Sequence, residues 1–146
     1  MEKEFIPYEE ALALKELGFN EPCILLYRGL DTQPVCQMGY EFKTEKNSDY
    51  NDETNYWLTV PTYSQAFRWF REKYKISYSI DWMTRDSKYY SGYYVHFRGI
   101  NGNKLNRENF IVLNDELPPT GYGVYKTYEE AELACLIKLI EIVKEK

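Results

Sequence analysis

The sequence has very few of the residues that most often carry chemistry in enzymes and metal sites. Its 146 residues include a single histidine, His96, and three widely spaced cysteines, Cys23, Cys36 and Cys135. One histidine excludes a site with several His ligands, and cysteines without a CxxC pair predict neither a zinc site nor a disulfide framework. The GxSxG, P-loop, HExxH and dinucleotide-binding motifs are absent as well. We therefore predict no catalytic residue, no metal and no cofactor.

Long apolar runs and an excess of positive charge are also missing. No run approaches the ~18 residues of a membrane-spanning helix. The first ten residues, MEKEFIPYEE, lack the apolar core of a signal peptide. Because the cysteines show no pairing pattern, we expect free thiols in a reducing cytoplasm. With 18 basic and 23 acidic residues, the net charge of −5 argues against general nucleic-acid binding, which normally needs a basic surface.

Aromatic residues, in contrast, are abundant. The chain contains fifteen Tyr, seven Phe and three Trp, more than the core of so small a protein needs. We expect some of these rings on the surface, where a rigid side chain offers contact area at a low entropic cost. This excess is the main sequence feature that favours a binding function.

Three segments begin in the same way, with Tyr followed three residues later by Ala. Apolar spacing predicts a helix in each, at residues 8–17, 63–74 and 128–144. Thr62 with Gln65 and Thr127 with Glu130 are typical of capping boxes, and Pro7 supplies a preset φ before the first helix. Because the segments diverge after the Ala and are unequally spaced, they indicate one way of starting a helix, used three times, and no internal repeat.

Alternating apolar residues between the helices predict strands. The predicted strands are 23–29, 36–42, 55–60, 76–84 and 92–98, with a possible short edge strand in NFIVL, residues 109–113. Residues 85–88 are predicted as a hairpin loop, which pairs Ile80 with Tyr93.

Together these elements predict an α+β fold in one domain over residues 1–146. The expected order is helix-strand-strand-strand-helix-strand-strand-helix, a mainly antiparallel sheet of five to six strands with three helices packed on one side. A mobile acidic loop is expected at about 43–55 and an irregular segment at about 99–123.

The outer face of the predicted hairpin contains the first candidate site. The expected pairing places His96 opposite Ser77, with Asp81, Tyr94 and Arg98 on the same face. These side chains would suit a polar pocket for a small anion or a peptide. They are also the residues found on an ordinary solvated sheet face, and this second interpretation is favoured because antiparallel sheets commonly have one face in water.

Trp69 is the second candidate. On a helical wheel it lies off the apolar stripe of the second helix and beside Lys73. We expect an exposed contact residue. If the ligand is a nucleotide, Arg68, Arg71 or Arg98 would bind its phosphate. The alternative is that Trp69 packs beneath the loop at about 43–55.

Three segments of the chain also resemble a known group of proteins. EFIPYEEALALKELGFNEPC (4–23), VPTYSQAFRWFREKY (60–74) and KTYEEAELACLIKLIEIVK (126–144) are similar to a family of small uncharacterised proteins of gut Bacteroidales, their prophages and their phages. The resemblance implies a mobile-element origin and the cytoplasm of a bacterial host. It implies no activity, cofactor or catalytic residue.

The sequence thus favours a non-enzymatic binding module that acts through protein–protein interaction and modulates a host or phage complex. The alternative is a small-molecule binder that sequesters a signalling nucleotide, with rings stacking on the base. A third possibility is a small hydrolase, although metal-dependent hydrolysis needs clustered carboxylates that the sequence does not show. Neither the partner nor the oligomeric state follows from the sequence.

Overall fold

A computed structural model of the chain describes residues 2–29, 34–36, 44–50, 57–85, 90–99 and 125–145. Its helices are α1 (Tyr8–Glu16), α2 (Tyr63–Tyr74) and α3 (Tyr128–Lys144), and its strands are β1 (Leu25–Arg28), β2 (Val35–Cys36), β3 (Trp57–Val60), β4 (Ile76–Arg85) and β5 (Tyr90–Gly99). The α+β class is confirmed, and the elements follow the predicted order.

The strands form two antiparallel sheets instead of the single predicted sheet. In the described part of the chain, one sheet has the order β2-β1-β3 and the other is the β4–β5 hairpin. The chain also divides into two compact units, Met1–Ala66 and Phe67–Lys146, with the boundary inside α2. The described residues do not confirm one sheet of five to six strands. Alternation identifies strands but not which strands pair. The single domain over residues 1–146 stays a prediction.

In the first unit, α1 packs against β3 and ends at a glycine. Gly18 has φ 89°, a left-handed conformation that costs glycine no steric penalty. The Phe19 N–H donates to the Leu14 carbonyl at 2.8 Å, and the Gly18 N–H donates to the Lys15 carbonyl at 2.9 Å. This pair of bonds is a Schellman motif. Both Leu14 and Phe19 are buried, which confirms the helix end predicted from the sequence.

Residues 44–50 were expected to belong to a mobile acidic loop, but the first unit holds them through a buried side chain. The Asn47 amide nitrogen donates to the Phe19 carbonyl at 2.9 Å, and its oxygen accepts from the Thr59 N–H at 3.1 Å. Nearby, the backbones of Cys23 and Glu45 exchange two hydrogen bonds of 2.8 and 2.9 Å. The remaining residues of the expected loop, 43 and 51–55, lie outside the described residues.

The second unit is organised around the β4–β5 hairpin, against which α3 packs. The hairpin register pairs Ile80 with Val95 and Trp82 with Tyr93, so the predicted pairing of Ile80 with Tyr93 was wrong by two residues. A shift of two preserves which side chains share a face, because side chains alternate along a strand. The apolar pattern therefore fits both registers equally well. The possible strand at 109–113 lies outside the described residues, as does most of the irregular segment, 100–123.

The predicted helix starts are confirmed. The Gln65 N–H donates to the Thr62 hydroxyl at 3.2 Å and the Glu130 N–H donates to the Thr127 hydroxyl at 3.2 Å, while both longer side chains accept from the cap backbone. Pro7 is itself the cap residue of α1, with φ −65°. The Ala residue that follows in each segment is fully buried; these are Ala11, Ala66 and Ala131. A small side chain at that position lets the helix approach its neighbour closely.

Candidate functional site

The inner face of the β4–β5 hairpin becomes more exposed from its base to its tip. Ile76, the first residue of β4, is buried, Tyr78 and Ile80 are half-buried, and Trp82 is 54% exposed. These residues lie on one face because they are two positions apart along the strand. The apolar face therefore runs without interruption from the core of the second unit to its surface.

Three rings connect the tip of this face to the first residue of α3. Trp82 packs edge-to-face on Tyr93, its cross-strand partner, with ring centroids 4.9 Å apart and an interplanar angle of 75°. Tyr93 contacts Tyr128 in the same manner, at 5.6 Å and 88°. Tyr128 is 41% exposed. We refer to Trp82, Tyr93 and Tyr128 as the aromatic patch.

Local backbone features fix the position of Tyr128 in this patch. The Tyr93 N–H donates to the Tyr125 carbonyl at 2.9 Å, and the Tyr125 N–H donates to the Tyr93 carbonyl at 2.8 Å. Two residues later, Thr127 caps α3, so Tyr128 is the first helical residue. The chain is thus held at the hairpin and again at the helix start. Because rings held in this way lose little entropy on binding, the patch is well organised for contact with a partner.

Burial is the main influence on the tyrosine hydroxyls near the patch, and nearby side chains add to it. The pKa of Tyr128 is raised, first by partial burial and then by the negative charges of Glu132, Cys135 and Tyr93 in their ionised forms. Burial raises the pKa of Tyr78 to about 12, with Tyr128 as the next cause, and Arg71 opposes this shift. The tyrosines of this region are therefore neutral hydrogen-bonding groups near pH 7.

Trp69 is buried, contrary to the expected exposure. It is only 7% exposed and lies edge-to-face on Phe70 at 5.1 Å and on Tyr74 at 5.3 Å. The buried arc of α2 is therefore wider than the narrow stripe read from the sequence. An indole is large enough to cover apolar neighbours from a position beside that stripe, and tryptophan is strongly buried on average. A role of Trp69 in binding stays a prediction.

The three basic residues expected near Trp69 are all exposed on α2. Lys73 lies one turn after Trp69, and its ammonium group is 4.7 Å from the Trp69 ring centroid and 5.2 Å from that of Tyr74. Arg68 and Arg71 are exposed. Arg71 is close enough to Tyr78 for its positive charge to oppose the rise in the pKa of that tyrosine. Lys73 therefore contacts two rings of its own helix, the buried Trp69 and the half-buried Tyr74, while the two arginines are accessible.

The outer face of the hairpin contains the other candidate residues in a changed register. His96 pairs with Ser79 instead of Ser77, and Tyr94 pairs with Asp81. The rings of Tyr94 and His96 are 4.5 Å apart at 80°, and both side chains are half-buried. The predicted neighbourhood of His96, Tyr94 and Asp81 is thus present on one face. The side chain of Arg98 lies outside the described residues.

The thiols are the remaining groups with intrinsic reactivity. Cys135 on α3 and Cys23 in the first unit are free and buried, which agrees with the expectation of free thiols. Burial raises the pKa of Cys135, and it raises the pKa of Cys23 to about 12. Neither thiol is therefore activated as a nucleophile, since the thiolate is the reactive form. The side chain of Cys36 lies outside the described residues.

Metal-ligand clusters and membrane-spanning helices are two further features that the described residues lack. Among them, no three His, Cys, Asp or Glu side chains lie close enough together to hold a metal ion. Within the same ranges, the longest helices are too short or too polar to cross a bilayer. The chain matches no protein-family model, no curated protein and no solved structure.

Sequence reasoning missed the aromatic patch. Trp82 was placed on the apolar face of β4 together with Ile76, and the pattern alone assigns both residues to the core. The useful signal was position: Trp82 lies near the tip of the hairpin, far along the strand from the junction with α2. The ends of long hairpins commonly extend past the element that covers their base, so their apolar residues are the first candidates for exposure.

Proposed function

We propose that this protein is a binding module that acts through protein–protein interaction, with the aromatic patch as its contact surface. The observation that carries the proposal is the exposure of Trp82, a 54% exposed indole held against Tyr93. Tryptophan and tyrosine are among the residues most enriched at the energetic centres of interfaces. An exposed large ring contributes little to folding, whereas it offers a partner a large apolar surface to bury.

The surroundings of the patch also favour binding over catalysis. The patch is assembled from rigid rings that already contact one another at 4.9 and 5.6 Å. The nearby hydroxyls are neutral, because the pKa values of Tyr78 and Tyr128 are raised. These side chains provide shape, apolar area and hydrogen bonds, which are the requirements of recognition.

The cellular setting belongs to the same proposal. Free buried thiols at Cys23 and Cys135 fit a reducing cytoplasm, and the resemblance of the helical segments to proteins of gut Bacteroidales and their phages suggests a bacterial host. In that setting the module modulates a host or phage complex. A lysate of a gut Bacteroidales strain is therefore the appropriate source of partners.

The proposal is tested by quantitative capture from such a lysate. Wild type is compared with Trp82→Ala and Tyr128→Ala, and with Ile24→Ala as the control. Ile24 is a similarly exposed apolar residue, 46% exposed, in the first unit. We expect wild type and Ile24→Ala to retain the same proteins, and both patch variants to lose them by tenfold or more, which corresponds to about 1.4 kcal/mol.

Two outcomes contradict the proposal. Equal capture by all four proteins would place the binding surface elsewhere, and the outer face around Tyr94 and His96 would be tested next. Native mass spectrometry of the purified chain covers the small-molecule alternative. A nucleotide that co-purifies with wild type, without any protein that depends on the patch, would replace protein binding by ligand sequestration.

A further inference from the structure

The outer edge of β4 consists of backbone groups that point away from β5. The Tyr93 N–H and carbonyl both bond to Tyr125, at 2.9 and 2.8 Å, so they point away from β4. Tyr93 is the cross-strand partner of Trp82, and the two residues of such a non-hydrogen-bonded pair both direct their backbone groups outward. The same parity applies two and four residues earlier, so the N–H and carbonyl groups of Ile80 and Tyr78 also point away from the hairpin.

This edge carries no added strand in the described part of the chain. There, β5 is the only strand that pairs with β4, and no backbone hydrogen bond joins Tyr78 or Ile80 to any other element. Residues 77–80 are half-buried and Asp81 is exposed, so this stretch of the strand reaches the surface. An unpaired edge strand is a template for pairing with another chain.

Two other strand edges are covered by groups of the same chain. β3 is the last strand of the β2-β1-β3 sheet, and its Thr59 N–H donates to the Asn47 amide oxygen at 3.1 Å. The edge of β5 is covered at Tyr93 by the backbone of Tyr125. Among the described residues, β4 has no such cover along its outer edge. Because natural proteins usually protect an edge that must stay unpaired, the open edge of β4 favours a pairing role.

The side chains of β4 determine which sequence an added strand would need. Tyr78, Ile80 and Trp82 form the apolar row that leads into the aromatic patch, and Ser79 and Asp81 lie on the opposite, polar face. The side chains of an added strand continue the two faces of the sheet. Apolar residues at alternate positions would therefore lie beside Ile80 and Trp82, and polar residues would lie beside Ser79 and Asp81.

We propose that β4 binds an extended segment of the partner protein as an added strand, through hydrogen bonds to the backbone of Tyr78 and Ile80. Alternate apolar side chains of the segment contact the aromatic patch at Trp82. This inference rests on the proposed function and names the form of the segment that is recognised. An extended backbone is the ligand that matches a row of outward N–H and carbonyl groups. Two copies of this chain, each with a net charge of −5, repel each other, so a partner of different sequence is favoured.

Amide hydrogen exchange, followed by NMR on the isotope-labelled full-length chain, tests this edge directly. The strand contains its own control, because the N–H groups of Ser79 and Asp81 point toward β5 while those of Tyr78 and Ile80 do not. In the free chain, we expect Tyr78 and Ile80 to exchange about tenfold faster than Ser79 and Asp81. Peptides selected on the immobilised chain from a phage-displayed random library are then added. We expect them to slow exchange at Tyr78 and Ile80 by about tenfold or more.

A substitution at Ile80 tests the same contact by affinity. Ile80→Pro removes an outward N–H and no bond to β5, a change that edge strands tolerate, and Ile80→Val is the control that keeps the N–H. We expect Ile80→Pro to weaken binding of the selected peptides by about tenfold or more, and Ile80→Val to leave it nearly unchanged. Thermal melts show whether a loss comes from unfolding. If Ile80→Pro does not fold, the exchange measurements on wild type decide the inference.

Four results would overturn the inference. Slow exchange at Tyr78 and Ile80 in the free chain at every protein concentration would show that the same chain covers the edge. Protection that disappears on dilution would identify a second copy as the occupant. Peptides that need Trp82 but leave exchange at both amides unchanged would reject strand addition and keep the aromatic patch as the binding surface. A selection without any binding peptide would also reject strand addition, and the lysate capture would then decide the proposed function separately.

Discussion

The two compact units of the chain fix their elements with different kinds of side chain. In the first unit, the buried Asn47 amide bonds to Phe19 and to Thr59 and so ties residues 44–50 to a helix end and a strand. In the second unit, α2 and the hairpin make a succession of ring contacts, such as Phe67 on Tyr78 at 4.0 Å. An amide fixes one geometry because its donors and acceptors must be matched. Aromatic rings stabilise the fold by burying apolar area, and rings of the same types also lie at the surface in the aromatic patch.

The largest effect expected from this comparison is at Trp69 in the second unit. Trp69→Ala removes a buried indole and leaves a cavity beside Phe70 and Tyr74, so we expect a loss of about 3–5 kcal/mol in the free energy of unfolding. Urea denaturation followed by circular dichroism measures it. Trp82→Ala is the matched control and should cost clearly less, because Trp82 is 54% exposed and its removal exposes less buried apolar area. Equal losses for the two variants would contradict the assignment of one ring to the core and the other to the surface.

The corresponding test in the first unit is Asn47→Ala. The substitution removes the Asn47 amide as a partner of the Phe19 carbonyl and of the Thr59 N–H, and loss of the partner of a buried polar group costs about 1–3 kcal/mol. We expect a total loss of about 2–3 kcal/mol in the same denaturation assay. Asn20, whose amide exchanges hydrogen bonds with Ser48 at the surface, provides the control, and Asn20→Ala should cost about 0.5 kcal/mol. A loss as small as this at Asn47 would mean that residues 44–50 do not stabilise the fold.

The helix caps should behave alike in the two units. Thr62→Ala and Thr127→Ala each remove a hydroxyl that accepts from a backbone N–H at 3.2 Å, and each should cost about 1 kcal/mol. Replacement by Ser keeps the hydroxyl and should retain most of the stability. If one alanine variant were neutral while the other cost the full amount, the caps would not be equivalent. The difference between the units would then extend to their helix starts.

The smallest expected effect is a gain in stability at Lys75, between α2 and β4. Lys75 has φ 57°, in the left-handed region where a Cβ atom is unfavourable by roughly 1–2 kcal/mol. Lys75→Gly relieves this but adds flexibility to the unfolded chain, so we expect a net gain of about 0.5 kcal/mol. Glu72→Gly, three residues earlier inside the helix, should instead cost about 1 kcal/mol. A loss at both positions would show that the left-handed turn is not strained.

Local features of the fold could be predicted from the sequence, because they depend on residues close together in the chain. The caps at Thr62 and Thr127 are of this kind. Which side chains share a face of the hairpin was also predictable. The register of the hairpin was not, because two registers that differ by two residues bury the same side chains. The role of Asn47 depends on partners 12 and 28 residues away, and composition alone classes such a residue as part of a loop.

The candidate site was harder to predict, for a related reason. A helical wheel or a strand pattern gives the direction of a side chain but not the extent of the surface that covers it. Trp69 lies beside the predicted stripe and is nevertheless covered, whereas Trp82 lies on the predicted apolar face and is not. Direction and coverage are separate properties, and only the second distinguishes a core residue from a contact residue.

The exposure gradient along β4 has an evolutionary consequence. Ile76 at the base of the strand is constrained by packing, so most substitutions there reduce stability. Trp82, six residues further along, is largely in solvent and is free of most of that constraint. A lineage can therefore vary the tip of the hairpin, while selection for folding acts on the base of the same strand.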